Sequence, residues 1–370
     1  LLDLNPDTGR IFRQALPLFG SAHEPLKGNA MNTYITAALG LLLSANTSQA
    51  ADLAGYDKFT IDAPHRAAKI AASIWYPVGR KTYAGLVGDN AVFKGSKAFI
   101  GASIAEGNYP LLVLSHGSGG NMDTISWLSS GLAEKGMMIL AVNHPGSTSG
   151  DSSPRRSIKV WDRAEDLTIA LDAFLSTDPL ADNVDQDRIY SMGFSLGGLT
   201  ALHLAGLRTD KQAYSNYCQT FGESAQDCLF FKKGGVDFDR LPEADFNVDL
   251  RDERISGAIA IEPGMTYAFQ EETVENNQLP IQLINFGDEN SRWKAIDMGS
   301  NGSNFGARLP NANYVEITPG SHFSFLAECK SGAEELLVAE GEDSICDDPE
   351  GTNRAELHQT VIETIAAFLK

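Results

Sequence analysis

From about residue 59 onward, short apolar runs alternate with longer stretches of helical spacing. The runs at 109–115 and 137–143 are apolar at nearly every position, which predicts strands covered on both faces. Runs at 188–193, 255–261, 281–286 and 314–317 predict four more, and 59–62 with 69–77 predict a leading pair. Helical spacing covers 123–135, 158–175 and 354–369. In the second of these Val160, Leu167, Ile169, Ala170 and Phe174 supply the apolar stripe. In the third Leu357, Val361, Ile362, Ile365 and Leu369 share one face. Strands and helices alternating in this way predict an α/β fold, a mostly parallel sheet with helices on both faces.

Two stretches leave this rhythm. Residues 208–254 are polar and aromatic-flecked, and a connection that long inside a compact domain is usually functional. They predict a small cap insertion over the site. Near the start, Met31 precedes an apolar run over 35–45, and small residues Ser48 and Ala50 follow it. That pattern predicts a signal peptide over 31–50, a non-native leader over 1–30 and a folded domain over 52–370. The run is too short to span a bilayer, so no transmembrane anchor is expected, and the protein is placed as secreted or periplasmic.

Composition narrows the function. A chain of 370 residues with 43% hydrophobic and 21% charged content suits one large globular domain. A net charge of -19 leaves no basic surface for nucleic acid. Of the cysteines, Cys218 lies close to Cys228 and Cys329 close to Cys346. The local pairings Cys218–Cys228 and Cys329–Cys346 are the simplest in an oxidising compartment. None has zinc-site spacing, and no metal is expected.

The candidate chemistry begins at Gly193-Phe194-Ser195-Leu196-Gly197, which follows an apolar strand and precedes a helical stretch. A tight strand-to-helix bend lifts a serine hydroxyl above the sheet, and side chains at 193 and 197 would clash with neighbouring backbone. Ser195 is therefore the candidate nucleophile. His116-Gly117-Ser118-Gly119-Gly120 follows the strand at 109–115, and its small residues let backbone N–H groups approach a carbonyl oxygen. Ser118 and Leu196 N–H are the candidate oxyanion donors, at the N-terminus of a helix that favours negative charge.

A base should come last in chain order, and His322, in the loop after the final strand, alone of seven histidines fits that place. The acid has two candidates. Gly287-Asp288-Glu289-Asn290 follows the strand at 281–286, but the expected carboxylate position holds Asn290. Glu262 ends the preceding strand and is preferred, with Asp288 as the alternative. Gly117, Phe194, Trp161, Phe323 and Phe325 are candidate pocket residues.

Together these segments resemble the platelet-activating-factor acetylhydrolase and dienelactone-hydrolase-like group of serine esterases. Leu112 to Gly120 looks like that group's oxyanion loop and Gly193 to Gly198 like its bend. Leu279 to Asn285 with Gly320 to Phe325 is similar to its closing strands and histidine loop. The resemblance implies the α/β-hydrolase fold, covers most of 109–327 outside the insertion, and adds weight to Glu262, although the group usually has Asp there. The phospholipid substrate of that group is not carried over; the residues themselves predict acyl transfer through Ser195 on a small-molecule or polymeric carboxylic ester, with lipid, phthalate and polyester substrates open, and no cofactor. A catalytically silent binding protein and a serine amidase or peptidase stand as alternatives.

Overall fold

The computed structural model describes residues 53–290 and 292–370. The leader and signal peptide expected over 1–50 lie outside the described residues. Ten strands form one sheet. In chain order they are β1 Gly55–Ile61, β2 Ile70–Tyr76, β3 Ala84–Val87, β4 Ser96–Ile100 and β5 Tyr109–Ser115. They continue as β6 Met138–Val142, β7 Val184–Phe194, β8 Ile255–Ile261, β9 Ile281–Phe286 and β10 Ala312–Ile317. Their order across the sheet is β10-β9-β8-β7-β5-β6-β2-β1-β4-β3. Every pairing from β10 to β6 is parallel, and β2 joins antiparallel.

Helices of eight residues or more are α1 Ser126–Ala133, α2 Trp161–Thr177, α3 Leu196–Leu204, α4 Lys211–Phe221, α5 Gln226–Lys233, α6 Ala333–Glu340 and α7 Arg354–Phe368. The apolar runs follow from the layering. Along β5, Leu112 and Leu114 face a core that includes Leu128 and Leu132 of α1 and Val361 and Ile365 of α7. The alternate residues Leu111 and Val113 face Ala164, Leu167, Leu171 and Phe174 of α2. Because side chains alternate across a strand and both faces are covered, neither set can be polar. Truncating a residue such as Leu167 to Ala would cost about 2–5 kcal/mol.

The last two strands at one side of the sheet, β4 and β3, were not expected. Both are partly exposed, so their sequences carry no sustained apolar signal. Strand β7 begins at Val184, ahead of the apolar run at 188–193, and α2 begins at Trp161 rather than 158.

Within 208–254 lie α4 and α5, joined by the Cys218–Cys228 disulfide. Tyr214, Tyr217, Phe231 and Phe246 of this segment pack in one cluster with Leu196, Leu199 and Leu202 of α3. Asp210 caps α4 by accepting from Ala213 N–H at 2.6 Å. The second disulfide, Cys329–Cys346, closes the loop around α6. Among the described residues no helix is long and apolar enough to cross a membrane.

Candidate active site

The bend between β7 and α3 is built by steric necessity. A Cβ on Gly193 would lie 2.1 Å from Gly197 O, and one on Gly197 would lie 2.0 Å from Ser115 O. Neither position accepts a side chain. Between them Ser195 takes φ 55° and ψ -120°, a conformation that costs about 1–3 kcal/mol outside glycine. Its backbone is tied on both sides: Ser195 N–H donates to Ile261 O at 2.9 Å, and Ser195 O accepts from Gly264 N–H at 3.2 Å. The strained residue is thereby sewn to the end of β8.

That same strand end carries Glu262, also at positive φ (48°) and fully buried. Its Oε1 accepts from Asn285 Nδ2 and from Phe286 N–H, both at 2.7 Å. Its Oε2 lies 3.0 Å from His322 Nδ1, and His322 Nε2 lies 3.1 Å from Ser195 Oγ. Residues 195, 262 and 322, which follow β7, β8 and β10 at the same end of the parallel strands, thus form one hydrogen-bonded chain. The His322 turn is held in place by a capping box between Ser321 and Ser324, and by Ser324 Oγ donating to Asp348 at 2.7 Å. Asp348 in turn binds the buried Arg354 at the start of α7.

Asp288 sits on the exposed turn after β9, where its carboxylate accepts from Asn290 N–H at 2.8 Å. His322 Nδ1 faces Glu262 instead. Gly117 runs directly beside the bend, since a Cβ there would meet the Phe194 ring at 3.2 Å and Ser195 Cβ at 3.4 Å. Ser118 follows it, exposed. Leu196 opens α3, and the leading N–H groups of a helix have no intrahelical acceptor.

Two of the aromatic candidates are buried. The Phe194 ring is 4% exposed and lies 4.6 Å from His322 and 4.1 Å from Phe325, so it backs the imidazole as core. Phe325 is fully buried in the core cluster that also holds Phe194 and Phe286. Trp161 is partly buried against the cluster holding Leu196 and Leu199. Phe323 is partly buried, 5.3 Å from Trp293. Trp293, which the sequence did not single out, is 37% exposed with its ring 5.2 Å from His322.

Other residues of consequence also escaped notice. Asn285 is the carboxamide that orients Glu262, and its signal was an amide inside the otherwise apolar end of β9. Beneath the bend, Ser115 Oγ lies 2.9 Å from His144 Nε2, and His144 Nδ1 lies 2.8 Å from Asp166. All three are wholly buried. Asp166 also binds His65 at 2.7 Å and Arg66 at 2.6 Å. Burial pushes the His144 imidazole down to about 3, so it is neutral, and the nearby Arg163 cation acts in the same direction. Although burial opposes ionisation of Asp166, its bonds to His144, His65 and Arg66 outweigh that and hold its carboxyl below the usual range. Arg163 and Asp166 sit on the face of α2 that also carries Ala164 and Leu167, a pattern that breaks the apolar stripe.

The family description "alpha/beta hydrolase fold" matches residues 110–212. No curated protein matches the chain in sequence. Among solved structures, a ferulic acid esterase from Streptomyces cinnamoneus is similar over 88% of this chain and 91% of that one, at 18% identity and a TM-score of 0.54. A dienelactone hydrolase from Anabaena variabilis is similar over 86% of this chain and 99% of that one, at 12% identity and a TM-score of 0.45. Strand order, bend and family match agree with the first of these structures: the chain has the α/β-hydrolase fold.

Proposed function

We propose that the protein is a serine esterase that hydrolyses carboxylic esters through an acyl-enzyme on Ser195. The observation that carries this reading is the continuous chain from a partly exposed hydroxyl, 3.1 Å to an imidazole, to a buried carboxylate at 3.0 Å. His322 takes the Ser195 proton through Nε2 as Oγ attacks the ester carbonyl. Glu262 holds the ring by Nδ1 and stabilises the imidazolium that forms. Asn285 and the Phe286 N–H keep that carboxylate aimed.

The negative charge on the tetrahedral oxygen falls to Ser118 and Leu196 N–H, each worth about 3–4 kcal/mol in such sites. The alcohol leaves with the proton from His322, and water then repeats the sequence to release the acid. The segment over 208–254 serves as a cap, since it packs on the helix that begins at Leu196. The expectation of export is supported by the two disulfides.

The test is a p-nitrophenyl ester assay with fluorophosphonate labelling. Wild type should hydrolyse the ester and carry one phosphonate on Ser195. A folded protein that does neither is a binding protein, and faster cleavage of matched amides than of esters would make it an amidase.

A further inference from the structure

Arg163 is 2% exposed at the first turn of α2, yet the acceptors of its guanidinium are all neutral. Nε donates to Thr200 Oγ1 at 3.1 Å, one terminal nitrogen donates to Ser147 Oγ, and the other donates to Ser115 Oγ at 3.0 Å and to His116 O. Taking a cation out of water costs several kcal/mol. An apolar residue would serve the surrounding helix face better, as Ala164 and Leu167 do.

The two ends of this fork reach the two elements that carry the oxyanion donors. His116 O belongs to the peptide one step before Ser118 N–H. Thr200 Oγ1, besides accepting from Arg163, donates to Leu196 O at 3.0 Å, the first residue of α3. One rigid side chain therefore bridges the loop and the helix. We propose that Arg163 is the positioning residue of the oxyanion hole, setting the spacing between Ser118 N–H and Leu196 N–H; this rests on the esterase reading above.

The rest of the network keeps the fork in one orientation. Because Ser115 Oγ accepts from Arg163, its proton goes to His144 Nε2, and His144 Nδ1–H goes to Asp166. The donors thus run in one direction from a buried cation to a buried anion. His116 is pinned as well: Nδ1–H donates to Gly117 O at 2.7 Å, and Nε2 accepts from His144 N–H at 3.2 Å. A planar guanidinium with fixed donor angles is suited to this spacing, and an ammonium is not. A displacement of about 1 Å at such a site can cost about 100-fold in rate.

The experiment compares Arg163→Gln, Arg163→Lys, Thr200→Val and Thr200→Ser in hydrolysis of p-nitrophenyl butyrate and in inhibition by a trifluoromethyl ketone, whose adduct places an oxyanion in the hole. Arg163→Gln should lower kcat about 100-fold with KM within about threefold, and weaken the ketone by the same factor as kcat/KM. Arg163→Lys should recover only part of the loss. Thr200→Val should lose about tenfold in kcat, and Thr200→Ser should restore most of it.

A folded Arg163→Gln with unchanged kcat and ketone affinity overturns the proposal, as does a loss confined to KM or to Tm. If Arg163→Gln does not fold, equal kcat in the two Thr200 variants overturns it. Ser195→Ala separates the two ideas. Should that variant still hydrolyse the ester, the esterase reading itself fails; should it be silent while Arg163→Gln is fully active, only the positioning role fails.

Discussion

Two serine–histidine–carboxylate chains run through this protein with nearly equal spacing. Ser195, His322 and Glu262 are linked at 3.1 and 3.0 Å, and Ser115, His144 and Asp166 at 2.9 and 2.8 Å. Their surroundings differ completely. Ser115 ends an ordinary strand, is wholly buried, and already accepts from Arg163. Ser195 stands partly exposed on a bend at positive φ, between two glycines that admit no side chain. Hydrogen-bond geometry is therefore insufficient to mark a nucleophile. Backbone strain and exposure distinguish the Ser195 chain, the one proposed to react, from the buried chain at Ser115.

The sharpest way to break this comparison is to remove each serine. Ser195→Ala should fold normally and lose about 10⁶-fold in kcat, read by ester hydrolysis and absence of the phosphonate adduct. Next in size is the acid. Glu262→Gln should lower kcat about 10⁴-fold by releasing the His322 ring, while Asp288→Asn should stay near wild type. A larger fall in Asp288→Asn would reverse the assignment.

Ser115→Ala should show the opposite profile. It strands a buried guanidinium N–H and an imidazole nitrogen, so stability should drop by about 1–3 kcal/mol in urea unfolding. Phosphonate labelling of Ser195 should persist in the folded fraction. If Ser115→Ala instead abolished labelling, the separation between the two chains would fail.

The last effect is the pH dependence of stability. Burial pushes His144 and His203 each down to about 3, and neither ring nitrogen of His203 has a hydrogen-bond partner among the described residues. A histidine is ordinarily near 6.5 when unfolded, so on acidification the unfolded chain takes up the proton first. The contribution of each neutral ring is fully present above about pH 6.5. It is lost as pH falls from about 6.5 toward 3. Tm should accordingly fall between pH 6.5 and 4.5, and His203→Leu should flatten that slope. An unchanged slope in His203→Leu would remove this histidine from the account.

Much of the fold was legible because parallel strands buried on both faces are apolar at most positions, as β6 is throughout and β5 nearly so. Partly exposed β3 and β4 carry no such constraint and were invisible. Within the site, Ser195 was readable because its bend needs glycines at fixed offsets. His322 was readable from chain order. Glu262 was preferred but Asp288 stayed open, because both follow strands as loop carboxylates. Only the crossing of loops over the sheet edge brings Glu262 Oε2 to His322. The place of Phe194 was not readable, because an aromatic ring beside such a bend is equally suited to a pocket wall or to core.

By itself, then, the sequence determined the local matters: which runs become covered strands, where the chain must bend sharply, and which hydroxyl sits on that bend. Tertiary structure alone decided which carboxylate meets His322, and that Arg163, His144 and Asp166 assemble beside the loop at 116–120. Local periodicity and sterics act over a few residues and leave a trace in composition. A hydrogen bond between residues 60 positions apart, as between Glu262 and His322, depends on strand order and register, which no short window of sequence contains.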